Sequence, residues 1–262
     1  MASTSTRPAR TPSPTEYTTS KIFTLKWNHS YDDPDPQAPQ HQARNVRFDA
    51  DVIHDRDNLK VILHDTFGVT VGTDYIVRRK RNFLGIKQPY TAEPVVQAIN
   101  ADARGLGNQD LFVFYYSGYG EHDNRQGLAF ANNKPGRFIL ASPILAALRA
   151  LPCDVLVILD CCNAVNTSLP PPTGPSNKRM MILGASLSTD LTTADSTRTM
   201  TNRLRKVLRT WATTNNNELR IAELGRLINR STAELQRSGD TYVRDVVIQD
   251  YTGRGDITLG RG

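Results

Sequence analysis

Two stretches of this chain leave little choice of fold. From Asp110 to Gly120 the sequence reads DLFVFYYSGYG, and from Asp154 to Val165 it reads DVLVILDCCNAV. Each opens with an apolar run too continuous for a strand with one wet face. Each is therefore expected as a strand buried on both sides, as in a parallel sheet covered by helices. Both runs also stop abruptly, the first at Ser117-Gly118-Tyr119-Gly120 and the second at Asp160-Cys161-Cys162-Asn163. Chemistry in open α/β sheets collects just past the carboxyl ends of the strands, so two adjacent parallel strands set these termini side by side.

The rest of the chain alternates in the same style. Ile22 to Trp27 reads as a first strand. From about Ala50, Val52, Leu59, Ile62, Leu63 and Phe67 recur at helical spacing, and Gly68 closes that helix. Val69 to Val77 is β-rich, a second helix follows Pro94, and Glu121 to Phe138 reads as a polar excursion or hairpin over the strand ends. Ser142 is expected to cap a helix with Pro143 in its first position. After the cysteine strand comes LPPPTGPSNKR (Leu169 to Arg179), read as an exposed linker open to nicking. Met180 to Ala185 is a further strand, Arg198 to Trp211 and Glu218 to Leu235 are helices, and Tyr242 to Ile248 and Ile257 to Leu259 are final strand candidates. The order implies a three-layer αβα sandwich around a mostly parallel sheet.

With 262 residues, 39% hydrophobic and 22% charged, the chain suits one α/β domain over residues 21–262. The Ser/Thr/Pro-rich stretch 1–20 holds too little apolar surface to offset the entropy of ordering, so it is expected as a disordered tail. No apolar stretch reaches the ~20 residues of a membrane span, and the first residues lack a secretory apolar core. A cytoplasmic chain is expected, with the nucleus also open to it. Three cysteines, two adjacent, make no disulfide framework and permit a thiol function. The net charge of +6 is read as spread out apart from Arg78-Arg79-Lys80-Arg81, a solvated loop or an address signal. No aromatic–basic or Cys/His motif accompanies it, so no specific nucleic-acid binding is expected.

Cys162 is the candidate nucleophile. A thiolate attacks a carbonyl, and a cysteine at the mouth of a parallel strand is open to activation by a nearby imidazole. The competing reading is packing, since free cysteines are among the most buried residues. Cys161 alternates to the other side and is expected in the core; Cys153 carries no signal. No HExxH, CxxC or EF-hand spacing is present, so no metal site is assigned.

YYSGYG followed by LVILDCCNAV resembles the caspase and metacaspase family, whose signature is an apolar strand ending Ser-Gly-His-Gly and a second ending Asp-x-Cys. The fungal caspase-like group, with Asp-Cys-Cys, is the nearest variant. Tyr119 and Cys162 are 43 residues apart, in keeping with the ~50-residue upstream histidine of caspase-type enzymes. Asp55-Arg56-Asp57-Asn58-Leu59 resembles the family's helix start, and the helix around Thr199 to Leu208 a later family helix. By this resemblance Cys162 matches the nucleophile, while Asp55, Ser117 and Asp160 match the lining of a pocket for Arg or Lys side chains. Without the resemblance, Asp160 is equally a strand-end carboxylate accepting backbone hydrogen bonds, and Asp55 a carboxylate facing a helix dipole. Calcium response is implied for some members, but no carboxylate cluster here is assigned to it.

The decisive departure is Tyr119, where the family has histidine. A phenol, ordinarily near ~10, is a poor base at neutral pH and carries no imidazolium charge to stabilise a thiolate or protonate a leaving amine. Asn163-Ala164-Val165 departs as well. The amides of Gly118 and Gly120 are expected to leave an anion-binding turn. His122, three residues on, is the only candidate for a substitute base; His54 is expected as a solvated residue at a helix start. Two readings follow. In the first, the chain is a catalytically impaired homologue that binds a protein or peptide partner in cell-death or immune-type signalling. In the second, it is an active endopeptidase cutting after Arg or Lys, with Cys162 attacking and His122 as base. Tyr119 tips the balance to the first; retention of Asp55, Ser117, Asp160 and Cys162 favours the second. Lys178-Arg179 lies where family members are often processed. The oligomeric state is left open.

Overall fold

A computed structural model describes residues 17–27, 54, 56–78, 89–123, 127–132, 137–164, 178–185, 199–214, 218–239 and 243–260. Its centre is a six-stranded sheet of β1 (Ser20–Trp27), β2 (Thr70–Val77), β3 (Leu111–Ser117), β7 (Asp154–Asp160), β8 (Met180–Ala185) and β10 (Val246–Asp250), in the order β10-β8-β7-β3-β1-β2. Every pairing is parallel except β10 with β8 at one edge. The two apolar runs are neighbours at its middle, and all seven residues of each strand are buried. Burial on both faces is why neither strand alternates apolar with polar.

One face carries Phe112, Phe114 and Tyr116 of β3 with Val155, Val157 and Leu159 of β7. It is covered by α2 (Glu93–Asp102) and α3 (Ala141–Ala150), which contribute Val95, Ile99, Ile144, Leu145 and Leu148. Phe130 joins them from a small antiparallel sheet of β4 (Tyr119–Asp123), β5 (Gly127–Ala131) and β6 (Phe138–Leu140), the excursion expected between Glu121 and Phe138. The opposite face, with Leu111, Val113, Tyr115, Leu156 and Ile158, is covered by α1 (56–67), α4 (Met200–Thr214) and α5 (Ile221–Arg237). Phe67 stacks on Trp211 at 5.6 Å to tie α1 to α4. Each fully buried Leu, Ile or Phe in these layers contributes about 1.5–3 kcal/mol of transfer free energy. The αβα sandwich with a mostly parallel sheet is as expected.

Several boundaries differ. Gly68 does close α1, with φ 64 and its amide on the His64 carbonyl. Ser142, however, is not a cap: α3 begins at Ala141 after Leu140, with no side-chain cap bond. Pro143 is accommodated in the third position because first-turn amides have no intrahelical partner to lose. Glu218 does not start a helix, since β9 (Leu219–Arg220) pairs first with β11 (Thr258–Leu259) in a separate two-stranded sheet. The tail expected through residue 20 meets the fold sooner. Tyr17 Oη donates to Asp154 at 3.0 Å, Thr18 N to the Gln109 carbonyl and Thr19 N to Asp110 at 2.8 Å.

The Leu169 to Arg179 linker lies outside the described residues up to residue 177, but its last two residues are held. Arg179 donates to Asp154 through its backbone amide at 2.6 Å and its Nε at 2.7 Å, and to the Asp256 carbonyl through Nη1 at 2.8 Å. Its Nη2 reaches Tyr17 Oη, and Lys178 Nζ donates to the Leu151 carbonyl. The linker expected to be exposed is therefore corrected at its end: Lys178 and Arg179 are half-buried and lead straight into β8.

Candidate functional site

The site is built where β3 and β7 end. Ser117 and Asp160, the last residue of each strand, are register partners, and both are buried. Gly118 N donates to the Asp160 carbonyl at 3.2 Å, which extends the ladder one residue past the strand. The chain then turns around the Tyr116 phenol, whose Oη donates to the Tyr119 carbonyl at 2.7 Å. Gly118 has φ 154, and a Cβ there would lie 2.9 Å from that Oη, so the turn admits only glycine without readjustment.

Gly120 next passes directly against the cysteine turn. A Cβ on it would fall 1.9 Å from the Cys162 carbonyl oxygen and 3.1 Å from Cys161 Sγ. Asn163, at φ 58, donates from Nδ2 to the Gly120 carbonyl at 3.2 Å. Asparagine is one of the few side chains that visits the left-handed region, so the residue read as a departure from the family pattern closes this turn. Two segments 43 residues apart are thereby clamped, and Tyr119 and Cys162 stand on the two sides of the clamp.

The cysteines divide as strand alternation implies. Cys161 is buried; its thiol is pushed well above the ordinary range by burial first, and then by the neighbouring Cys162 and Asp160. Cys162 is half-exposed and is the thiol that solvent reaches. Burial, reinforced by the nearby Cys161, also holds the Tyr116 hydroxyl well above the ordinary phenol range, so it stays a neutral donor to the Tyr119 carbonyl.

Other expected roles change. The Gly118 amide is occupied by the sheet ladder and is no oxyanion donor in this arrangement. Asp160 directs Oδ2 to the Thr201 amide at 2.8 Å, and Thr201 Oγ1 lies 2.7 Å from Tyr115 Oη. Its carboxylate therefore anchors the first turn of α4, where a negative charge also suits the helix dipole. Ser117 stays beside it at the strand end. Asp55 lies outside the described residues; just before it, exposed His54 contacts Asn58, the solvated helix-start role expected of it.

The described histidines are His54, His64 and His122. His54 is engaged with Asn58, His64 Nδ1 lies 3.2 Å from the Val69 carbonyl, and His122 is exposed on β4, two residues past Gly120. A strand advances about 3.3 Å per residue, so position 122 begins about 7 Å beyond the residue that touches Cys162. Among the described residues no histidine is hydrogen-bonded to Cys162, and no group of three or more His, Cys, Asp or Glu could hold a metal ion. No helix among them is long and apolar enough to cross a membrane.

Tyr116, Thr201 and Asn163 were not singled out from sequence as site residues. Tyr116 was concealed inside an apolar run and Thr201 lies 41 residues past Asp160. Asn163 alone carried a readable signal, an asparagine directly after a strand end.

No family model and no curated protein matches this chain by sequence. In three dimensions it is similar to the crystal structure of caspase-1 from Spodoptera frugiperda, with a TM-score of 0.56 and 12% identity over 97% of this chain and 96% of that one. A protein from Geobacter sulfurreducens, GSU0716, aligns with a TM-score of 0.49 and 15% identity over 92% of this chain and 94% of that one. The fold of the chain is caspase-like.

Proposed function

We propose that this caspase-like domain is an impaired member of the fungal-type branch of the caspase and metacaspase family. It keeps the cysteine, lacks the base, and serves by binding a protein or peptide partner in cell-death or immune-type signalling. One observation carries the reading: residue 119, just before the glycine pressed against Cys162, is a tyrosine, and no described histidine bonds to the thiol. A thiol attack needs a group that takes the proton, holds positive charge beside the thiolate and returns the proton to the leaving amine. A phenol does none of these at neutral pH. The clamp of Gly120, Asn163 and Tyr116 preserves the shape of the strand ends, which supports binding at the site after chemistry is lost. The domain acts without a cofactor, and its place is the cytoplasm or the nucleus.

The competing reading is an endopeptidase cutting after Arg or Lys, and the adjacency of Ser117 and Asp160 at the mouth favours it. Fluorogenic peptides ending in Arg or Lys separate the two. The proposal expects the purified chain to release no more fluorophore than Cys162→Ala. Turnover that disappears in both Cys162→Ala and His122→Ala would establish the protease instead.

A further inference from the structure

The positive charge of the chain is not spread evenly, as its sequence first suggested. Residues 200–237 contain eight Lys or Arg, three Glu and no Asp, a net +5 out of +6 for the whole chain. Seven of the eight basic residues lie on α4 and α5, which pack against each other on one face of the sheet. Arg203 is buried in the seam with its guanidinium on Thr232 Oγ1, while Lys206, Arg209, Arg220, Arg226, Arg230 and Arg237 are exposed. Arg226 is paired with Glu223. Lys206, Arg209 and Arg230 have no acidic partner among the described residues.

The spacing makes a stripe. Arg226, Arg230 and Arg237 follow one side of α5, since intervals of four and seven residues return to the same face. At 1.5 Å per residue they span about 16 Å, the length of about five extended residues. Lys206 and Arg209 share a face of α4 in the same way. Half-buried Val207 and Leu227 flank these charges and pack against the core beneath.

We propose that the α4/α5 face is a docking surface for an acidic polypeptide segment, one that alternates carboxylates with apolar side chains. Guanidinium forks match carboxylates in bidentate geometry, and the half-buried aliphatic residues offer contacts to the apolar side chains. Nucleic acid fits less well. Bases are held by stacking on aromatics, and the one aromatic of these helices, Trp211, is buried against Phe67. The surface is distinct from the cysteine turn, so this inference stands or falls apart from the loss of the dyad.

The test uses the full chain and a fluorescein-labelled peptide of Glu-Glu-Leu repeats, read by anisotropy at low and physiological salt. The proposal expects binding that weakens with salt, is the same in Cys162→Ala, and falls about tenfold or more in Arg209→Glu/Arg230→Glu. An equal charge change elsewhere, Arg78→Glu/Arg104→Glu, should weaken it less than twofold. Should the reversal variant fail to fold, Arg209→Gln/Arg230→Gln, with a smaller loss of a few-fold, carries the comparison. Equal losses in the two pairs would reduce the effect to net charge and overturn the proposal. So would tighter binding of a DNA duplex than of the peptide, which would make the face a phosphate reader.

Discussion

Replacing Gly120 with alanine tests the clamp that joins the two strand ends. The added methyl would sit 1.9 Å from the Cys162 carbonyl oxygen and 3.0 Å from its carbonyl carbon, and both are backbone atoms that cannot swing aside. Restoring contact at 3.4 Å or more means parting the turns by over an ångström. Asn163 Nδ2 is then drawn from the Gly120 carbonyl, which it now reaches at 3.2 Å. Overpacking of this kind costs about 1–3 kcal/mol, and the rigid obstacle places it near the upper end. For a chain of this size about 3 kcal/mol corresponds to a melting point lower by about 6–12 °C. The reference is Gly107→Ala, whose methyl meets only an Asp110 oxygen at 3.8 Å and should change stability by about 0.5 kcal/mol or less. Thermal melts of both variants, with Cys162 labelling by maleimide at low temperature, give the answer. Gly120→Ala should melt lower and label faster as the turn opens. If the two glycine variants melt alike, the packing of Gly120 on Cys162 is not the constraint described.

Asp154→Ala removes the acceptor for Arg179 and Tyr17, and losing this partly buried network costs about 2–3 kcal/mol in denaturant unfolding. In the wild type the same network should keep limited trypsin digestion from cutting after Arg179, and a clean cut there under native conditions would contradict it. Tyr116→Phe removes the hydroxyl that donates to the Tyr119 carbonyl and should cost about 0.5–1.5 kcal/mol with little change in secondary structure by circular dichroism. Burial pushes the Cys153 thiol up from 9.0 to about 11. Between those values the unfolded chain releases a proton that the folded chain retains, so stability is full below pH 9 and falls as the pH rises to about 11. The loss is on the order of 2 kcal/mol, and Cys153→Ala should show a correspondingly shallower decline in melts across that range.

The parts of the fold that could be read directly were those where one strong local signal met no competitor. β3 and β7 announced themselves by unbroken apolar runs, and Gly68 ended α1 because its position requires positive φ. Alternation at a strand end separated buried Cys161 from accessible Cys162. What escaped depended on partners far away in the chain. Arg179 looked solvated beside prolines, yet Asp154 and Tyr17 hold it from 25 and 162 residues away. Asp160 was read equally as a pocket carboxylate and a strand-end acceptor, and Thr201, arriving from α4, provides the backbone donor. Ser142 resembled a cap because its chemistry is right, but the helix began earlier from an extended Leu140. The two-residue strand β9 is too short to leave a pattern at all, whereas β11 lies within the Ile257 to Leu259 candidate.

The central claim is that Cys162 is an accessible thiol without a base. The measurement that meets it most directly is the rate of Cys162 alkylation by iodoacetamide across pH, resolved from Cys153 and Cys161 by peptide mass spectrometry. The wild type should be alkylated at Cys162 at the same rate as His122→Ala at every pH, while Cys153 and Cys161 stay unlabelled until the chain unfolds. A wild-type rate near neutral pH that His122→Ala clearly lowers would mean that an imidazole reaches the thiol and that the dyad survives.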